Sequence, residues 1–390
     1  MTMTADDLVF LTSASGESLL AQLAQEDLSE KQHLPLLMRL RREYSPEQAG
    51  AALSLAQLRQ KAVDKFGPAA QKMFFTPDAL EQASHPLVSA YRSQRVQGQQ
   101  VIDAGCSIGA DSLALAQAGH AVTGVDLDPL RVALARLNAA ALGLDAQFVV
   151  GDVTEGLPQG DSVFFDPARR DSQGRRLHEV EQYLPPLSTL KRWDAPCVAV
   201  KLSPAVALSQ VATYGGAVEF ISVTGDLKEA ILWLGYEGLP AFRATLLTAT
   251  DQHHWDSGPE KQVAPLDAPR EWLLEPDPAL LRAGLVGDLA VQLGAAQLDA
   301  TIAYLTHETR PESSWVRAWR VRDWMPFNLK RLRAYLRENN VGHVTVKKRG
   351  FPMTPDEIIP RLKLKGSASC TLVLTRLEGE PIVMICENFS

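Results

Sequence analysis

The chain has 390 residues, 46% hydrophobic and 22% charged, which excludes disordered, collagen-like and coiled-coil proteins and leaves room for two or three domains. No window approaches the roughly 18 uninterrupted apolar residues of a membrane helix, and Met1-Thr2-Met3-Thr4-Ala5-Asp6-Asp7 is acidic where a secretory leader is basic, so no membrane role is expected. The net charge of −7 hides an asymmetry, because residues 317–376 hold 14 Lys and Arg against four acids, a local +10 that leaves −17 elsewhere.

The first 95 residues read as helices. Leu19, Leu20, Leu23, then Leu34, Leu36, Leu37 and Leu40 mark apolar faces between charged residues. Ser45-Pro46-Glu47-Gln48 combines an N-cap, a first-turn proline and a capping-box glutamine. Thr76-Pro77-Asp78 opens another helix in the same way, expected to run through Leu80 to about Arg95.

From Val101 the rhythm becomes alternating strand and helix. Strands are expected at 101–104, 120–126, 147–150, 162–165 and 197–200, with helices between the first three. Two further runs, 218–223 and 230–234, are separated by six residues, too few for a helical crossover, so an antiparallel hairpin closes the series. This pattern describes an open, doubly wound, Rossmann-like α/β sheet. Residues 238–270, rich in Pro, Gly, Asp and His, read as a connector. A C-terminal α+β domain follows, with helices at 277–293 and 329–339 and strands at 344–348 and 371–377.

Asp103-Ala104-Gly105-Cys106-Ser107-Ile108-Gly109 sits where strand one meets helix one. Glycines there admit a ligand to the backbone, although the spacing is not that of a GxGxxG dinucleotide turn. More telling is the register of acids after four successive strands, where open sheets bind ligands. Asp126 ends strand two, placed to accept both hydroxyls of a ribose. Asp152 follows strand three, placed to meet an adenine amino group, and Asp166-Pro167 closes strand four. The plain alternative for any one of them is a helix cap or turn residue. Cys106, Cys197, Cys370 and Cys386 lie far apart without a CxxC pair, and His253-His254 has no ligand spacing nearby. No metal is expected, and a reducing cytoplasm is.

Across about residues 96–236 this series resembles the class I S-adenosylmethionine-dependent methyltransferases. The resemblance implies that Asp103, Gly105, Cys106, Ser107 and Gly109 cradle the amino-acid end of S-adenosylmethionine. It also implies that Asp126 and Leu127 hold its ribose and that Asp152 and Val153 border its adenine. Asp166-Pro167-Ala168-Arg169 resembles the DPPY element with which such enzymes methylate exocyclic amines of nucleobases. Asp166, Pro167 and Arg169 are therefore the expected catalytic residues, with Asp166 also facing the cofactor. Met73-Phe74-Phe75-Thr76-Pro77 ahead of the first strand is similar to trimethylguanosine synthases. Glu275-Pro276-Asp277-Pro278 and Val346-Lys347-Lys348-Arg349-Gly350 resemble the THUMP-like domain found behind such methyltransferases; the true THUMP domain is an RNA-binding module of tRNA-modifying enzymes.

Two departures shape the expectation. Ala168 and Arg169 replace the second proline and the aromatic that stacks on the base, so stacking falls to Phe74, Phe75, Tyr183 or the Arg169 guanidinium. Asp-Pro-x-Arg also resembles uracil-C5 methyltransferases, but Leu202 stands where their nucleophilic cysteine falls, which argues against covalent uracil chemistry. Arg169, Arg170, Arg175 and Arg176 suit a phosphate backbone at the substrate mouth, and Lys347, Lys348 and Arg349 suit one in the C-terminal domain. The alternatives are a solvated arginine loop and acids facing the three cations. Trp315, Trp319, Trp324 and Phe327, interleaved with arginines, read either as a stacking platform or as core.

The expected organisation is a helical region at 1–95, a methyltransferase domain at 96–237, a connector at 238–270 and a THUMP-like RNA-binding domain at 271–390. The expected function is S-adenosylmethionine-dependent methylation of an exocyclic amine in structured RNA such as tRNA or rRNA. The competing expectations are a small-molecule or protein methyltransferase, and a non-catalytic RNA-binding protein that keeps the fold.

Overall fold

The computed structural model describes residues 3–171 and 173–388; Met1, Thr2, Ser172, Phe389 and Ser390 lie outside the described residues. It divides into two compact units, residues 1–217 with 228–239, and residues 218–227 with 240–390. No described helix is long and apolar enough to cross a membrane.

The first unit opens with helices Ala5–Leu11, Ala14–Leu23, Glu30–Leu40 and Pro46–Phe66. The capping box at Ser45 forms, with the Gln48 N–H donating to the Ser45 hydroxyl and the Gln48 side chain accepting from the Ser45 N–H. Leu19, Leu23 and Leu53 bury their side chains in one core with Phe75, Ile108, Val132 and Leu134, so the helical region is fastened to the first β–α units by apolar packing. The helix expected from Thr76 to Arg95 is two helices, Pro77–Gln82 and Pro86–Arg95. Pro86 has no N–H to continue the first, and the His85 imidazole instead accepts from the Leu87 N–H.

The strands of this unit are β1 (Gln100–Ala104), β2 (Ala121–Asp126), β3 (Ala146–Val150), β4 (Ser162–Phe165) and β5 (Cys197–Leu202). Of the next two, β6 (Ala217–Val223) belongs almost wholly to the second unit and β7 (Asp226–Leu234) mostly to the first. In the first unit the order is β3-β2-β1-β4-β5-β7, parallel up to β5, with β7 antiparallel to it. The chain reverses its direction of progress between β1 and β4, which opens a crevice at the carboxyl ends of the strands.

In the second unit β6 pairs parallel with β8 (Phe242–Leu247), which pairs antiparallel with β9 (Gln252–Asp256). The stretch read as a connector therefore carries two strands. A separate seven-stranded sheet follows, built from β10 (Trp272–Pro276), β11 (Ala296–Asp299), β12 (Ile302–His307), β13 (Val316–Pro326), β14 (Val341–Lys348), β15 (Ala368–Leu377) and β16 (Glu380–Cys386). Its order is β11-β12-β10-β13-β16-β15-β14. Leu332, Leu336, Ile358 and Leu362, from helices Leu329–Glu338 and Pro355–Leu362, share a core with β14 to β16. The helix expected over 277–293 breaks at Gly284, whose φ of 75° ends the first segment.

Candidate active site

The turn after β1 doubles back on β2. Gly105 and Cys106 both donate their N–H groups to the Val125 carbonyl, at 2.8 and 3.0 Å. Gly105 (φ 86°) and Gly109 (φ 85°) take the left-handed conformation that makes this turn possible, and Ser107 is held at φ 52° between them. A Cβ on Gly105 would meet only the Asp166 carbonyl, at 3.7 Å, so the glycine keeps a backbone face open toward the crevice.

Asp126 fastens that turn from the next strand. Its Oδ2 accepts the Ser107 N–H and its Oδ1 the Asp128 N–H, each at 2.9 Å. One lone pair stays on each oxygen, so the carboxylate fits a diol that donates two hydrogen bonds. Leu127, beside it, is 69% exposed and offers an apolar side chain to the same crevice. Asp152 accepts the N–H and hydroxyl of Thr154, at 2.8 and 2.7 Å, and these bonds hold its carboxyl below the usual carboxylate range. Both fall on Oδ1, which leaves Oδ2 for an amino group.

The far edge of the crevice is made by β4 and β5. Lys201 Nζ donates to Asp166 Oδ2 at 2.6 Å. No helix starts at Asp166 among the described residues. The chain instead makes isolated bridges, Ala168 with Leu184 and Arg170 with Arg176, so the helix-cap alternative for Asp166 does not apply. Behind the pair lies a buried chain of charge. Arg92, stacked 4.4 Å over the Phe164 ring, binds Asp111 and reaches Glu229 at 2.6 Å. Asp103 accepts from the Ser112 hydroxyl at 2.5 Å, and burial, reinforced by Asp111, pushes its pKa up to about 7.

These groups surround a cleft of about 880 Å³, lined by Gly105, Asp126, Leu127, Asp152, Val153, Asp166, Pro167, Arg169 and Arg170 among the expected site residues. Asp103, Cys106, Ser107 and Gly109 do not line it. They shape the turn from behind that lining. The Cys106 side chain is buried against Gly124, where a Cβ would come within 2.9 Å of its sulfur, and burial pushes the thiol's pKa far up. Phe74, Phe75 and Tyr183 are buried outside the cleft lining, Tyr183 beneath it near Asp166 and Arg169, so none of them presents an exposed ring there. Arg175 pairs with Asp171 outside the lining, while Arg176 lines the mouth beside Arg169 and Arg170.

Lys201, Arg92, Asp111 and Glu229 were not singled out from the sequence. The one available signal was a lysine set in the apolar run Cys197–Leu202, where a charge has to be paired. Asn138 was also missed. Buried in helix Pro129–Leu142, it accepts from the Phe74 N–H and donates to the carbonyls of Phe74 and Ile108, tying the segment before β1 to the turn after it.

In the second unit one acid partly offsets the basic cluster. Lys347 meets Glu275 at 2.5 Å and lies 4.1 Å from the centre of the Trp319 ring. Arg349 meets Glu275 at 3.5 Å and stacks on Tyr304. Reading all three cations as free phosphate contacts is thereby corrected, since an acid from β10 faces two of them. Lys348 is exposed. Trp315 and Trp319 are buried, as the core alternative had it. No cluster of metal-ligating side chains occurs among the described residues.

Comparison with known proteins agrees with this geometry. Residues 101–166 match a family model described as a methyltransferase domain, residues 316–388 one described as THUMP domain-like, and residues 4–62 a domain of unknown function. The chain is 35% identical over 331 residues to an uncharacterised S-adenosylmethionine-dependent methyltransferase of Mycobacterium tuberculosis, covering 82% of this chain and 90% of that one. Over 119 residues it is 34% identical to a 23S rRNA (uracil(1939)-C(5))-methyltransferase of a Shewanella species, covering 27% and 26% of the two chains. A crystal structure from Porphyromonas gingivalis W83, assigned as a methyltransferase, superposes over the whole of both chains with a TM-score of 0.77 at 20% identity, a likeness of fold.

Proposed function

We propose, from the premise that the chain belongs to the S-adenosylmethionine-dependent methyltransferases, that it methylates an exocyclic amine of a nucleobase in structured RNA such as tRNA or rRNA. When bound, S-adenosylmethionine supplies a methyl group already activated on a sulfonium. The residues that fit it are the open backbone at Gly105, the Asp126 carboxylate with a lone pair on each oxygen, Leu127, and Asp152 with Val153.

The observation that carries the acceptor reading is the placement of Asp166. It closes β4 in the cleft, not as a helix cap, with Oδ2 held by Lys201 and Oδ1 without a partner among the described residues. A carboxylate so presented can take a hydrogen of an amino group and turn its lone pair toward the methyl, a matter of orientation more than of acid–base power. Arg169 and Arg176 at the cleft mouth offer guanidinium groups to phosphate, with Arg170 beside them shared with Glu81 at 3.2 Å, and of the four stacking candidates Phe74, Phe75, Tyr183 and Arg169 it is Arg169 that lines the cleft.

The THUMP-like match and the rRNA methyltransferase relative support RNA as the substrate. In this reading residues 96–237 are catalytic, residues 271–390 bind RNA and the enzyme works in the cytoplasm. The chemistry differs from that relative's, because Leu202 leaves no cysteine after β5 to attack a uracil. Mass spectrometry of nucleosides from tRNA and rRNA of cells with and without the gene tests the reading. One methylated base should vanish with the gene, and unchanged profiles in both fractions would reject RNA as the substrate.

A further inference from the structure

Lys201 is only 4% exposed, in a strand whose next three side chains back toward Cys197 are also buried. Lysine is almost never so buried unless paired. Two buried cations here face three carboxylates, and they divide the work unevenly. Arg92, from helix Pro86–Arg95, takes Asp111 and Glu229 by direct bonds, whereas Lys201 takes Asp166. The Lys201–Asp166 pair is also lopsided. The lysine side chain is 5% exposed, while the carboxylate is 23% exposed and lines the cleft. A pair serving only the core would bury both partners and fill both oxygens. This one buries the cation and leaves one oxygen to the cleft.

We propose that Lys201 is a positioning residue for methyl transfer: its ammonium grips Oδ2 of Asp166 and so presents Oδ1, fixed in direction, to the proton that the acceptor must lose. The inference rests on the methyl-transfer reading of the cleft. In the step it serves, the acceptor lone pair forms a bond to the methyl carbon while the carbon–sulfur bonding pair stays on sulfur. The acceptor's N–H proton passes to Asp166 Oδ1 and from there to water. Lys201 itself is not the base. Burial pushes its ammonium pKa down, but Asp166, Asp111 and Glu229 outweigh that and hold it above the usual lysine range. Asp103, Lys65 and Tyr183 lie near the pair as well, and Arg169, His85 and Lys228 line the same cleft.

The test uses the full-length protein, tritiated S-adenosylmethionine, and RNA from cells lacking the gene. Lys201→Met should lower kcat by about 10²-fold or more while the cofactor KM moves less than about threefold. Lys201→Arg, which keeps a cation near Oδ2, should recover to within about tenfold of wild type. In an Asp166→Asn background the methionine substitution should cost less than about twofold further, because a residue that acts through Asp166 has nothing left to act on. Melting curves identify any variant that fails to fold, and NMR of 15N-labelled lysine gives a readout independent of turnover. Lys201 should titrate above the usual lysine range in the wild type and lower in Asp166→Asn.

An unchanged kcat in Lys201→Met, or the same loss in both backgrounds, would overturn the role. If wild-type protein labels no RNA, the substrate reading fails instead. The lysine titration then decides the pair, and a titration unmoved by Asp166→Asn would overturn it as well.

Discussion

Lys201 Nζ stands 2.6 Å from Asp166 Oδ2, and the two partners see different surroundings: the lysine is enclosed by protein and the aspartate borders the cleft. Their loss should therefore cost unequally. Asp166→Ala strands a buried ammonium without its direct partner and should destabilise by about 3–5 kcal/mol. Lys201→Ala frees a carboxylate that reaches solvent and should cost clearly less. Urea unfolding midpoints check the order, and equal midpoints would show that the pair is buried evenly.

Asp126 holds the Ser107 and Asp128 amides with one lone pair to spare on each oxygen. A charge-assisted hydrogen bond contributes roughly 1.5–3 kcal/mol, so Asp126→Ala should weaken S-adenosylmethionine binding about 10- to 100-fold in calorimetry. Wild-type affinity in the variant would remove Asp126 from the cofactor site.

Asp103 makes stability depend on pH. Its carboxyl is raised from 3.8 to about 7 by burial, so between those values the folded chain holds a proton that the unfolded chain has released. Stability then falls as pH rises, and the loss is complete above about 7, on the order of a few kcal/mol in total. Asp103→Asn keeps an acceptor for Ser112 without the charge. Melting temperatures from pH 5 to 8 should show a fall in the wild type that this variant lacks; parallel curves would place the titration elsewhere.

The basic cluster of the second unit should behave as about two phosphate contacts, not three, because one carboxylate offsets one of its three charges. Glu275 already holds Lys347 and Arg349. Lys348→Ala should lower the log–log salt slope of RNA affinity by about 0.7, and the triple alanine variant should lower it by about 1.4. The triple variant should melt earlier, because Glu275 loses both partners. A slope reduced by about 2 would show that phosphate displaces Glu275.

Much of the cleft was legible because its parts are local in sequence. Asp126, Asp152 and Asp166 each follow an apolar run that reads as a strand, and the order of strands brings their ends to one edge. What was not legible depends on partners far apart. The meaning of Lys201 lies in Asp166, 35 residues away, and that of Lys347 in Glu275, 72 residues away. β9 is not legible because Gln252–Asp256 is polar apart from Trp255, a run that only pairing with β8 makes a strand. Phe74 and Phe75 carried the right chemistry for stacking but went to the core, where the Phe74 amide binds Asn138.

The most direct test of the account is transfer of tritiated methyl from S-adenosylmethionine into RNA from cells lacking the gene, comparing wild type with Asp166→Asn. The expected result is label in a methylated base with the wild type, a loss of about 10²-fold or more in the variant, and cofactor affinity the same within about threefold. Equal labelling by the two proteins, or no labelled RNA from the wild type, would contradict it.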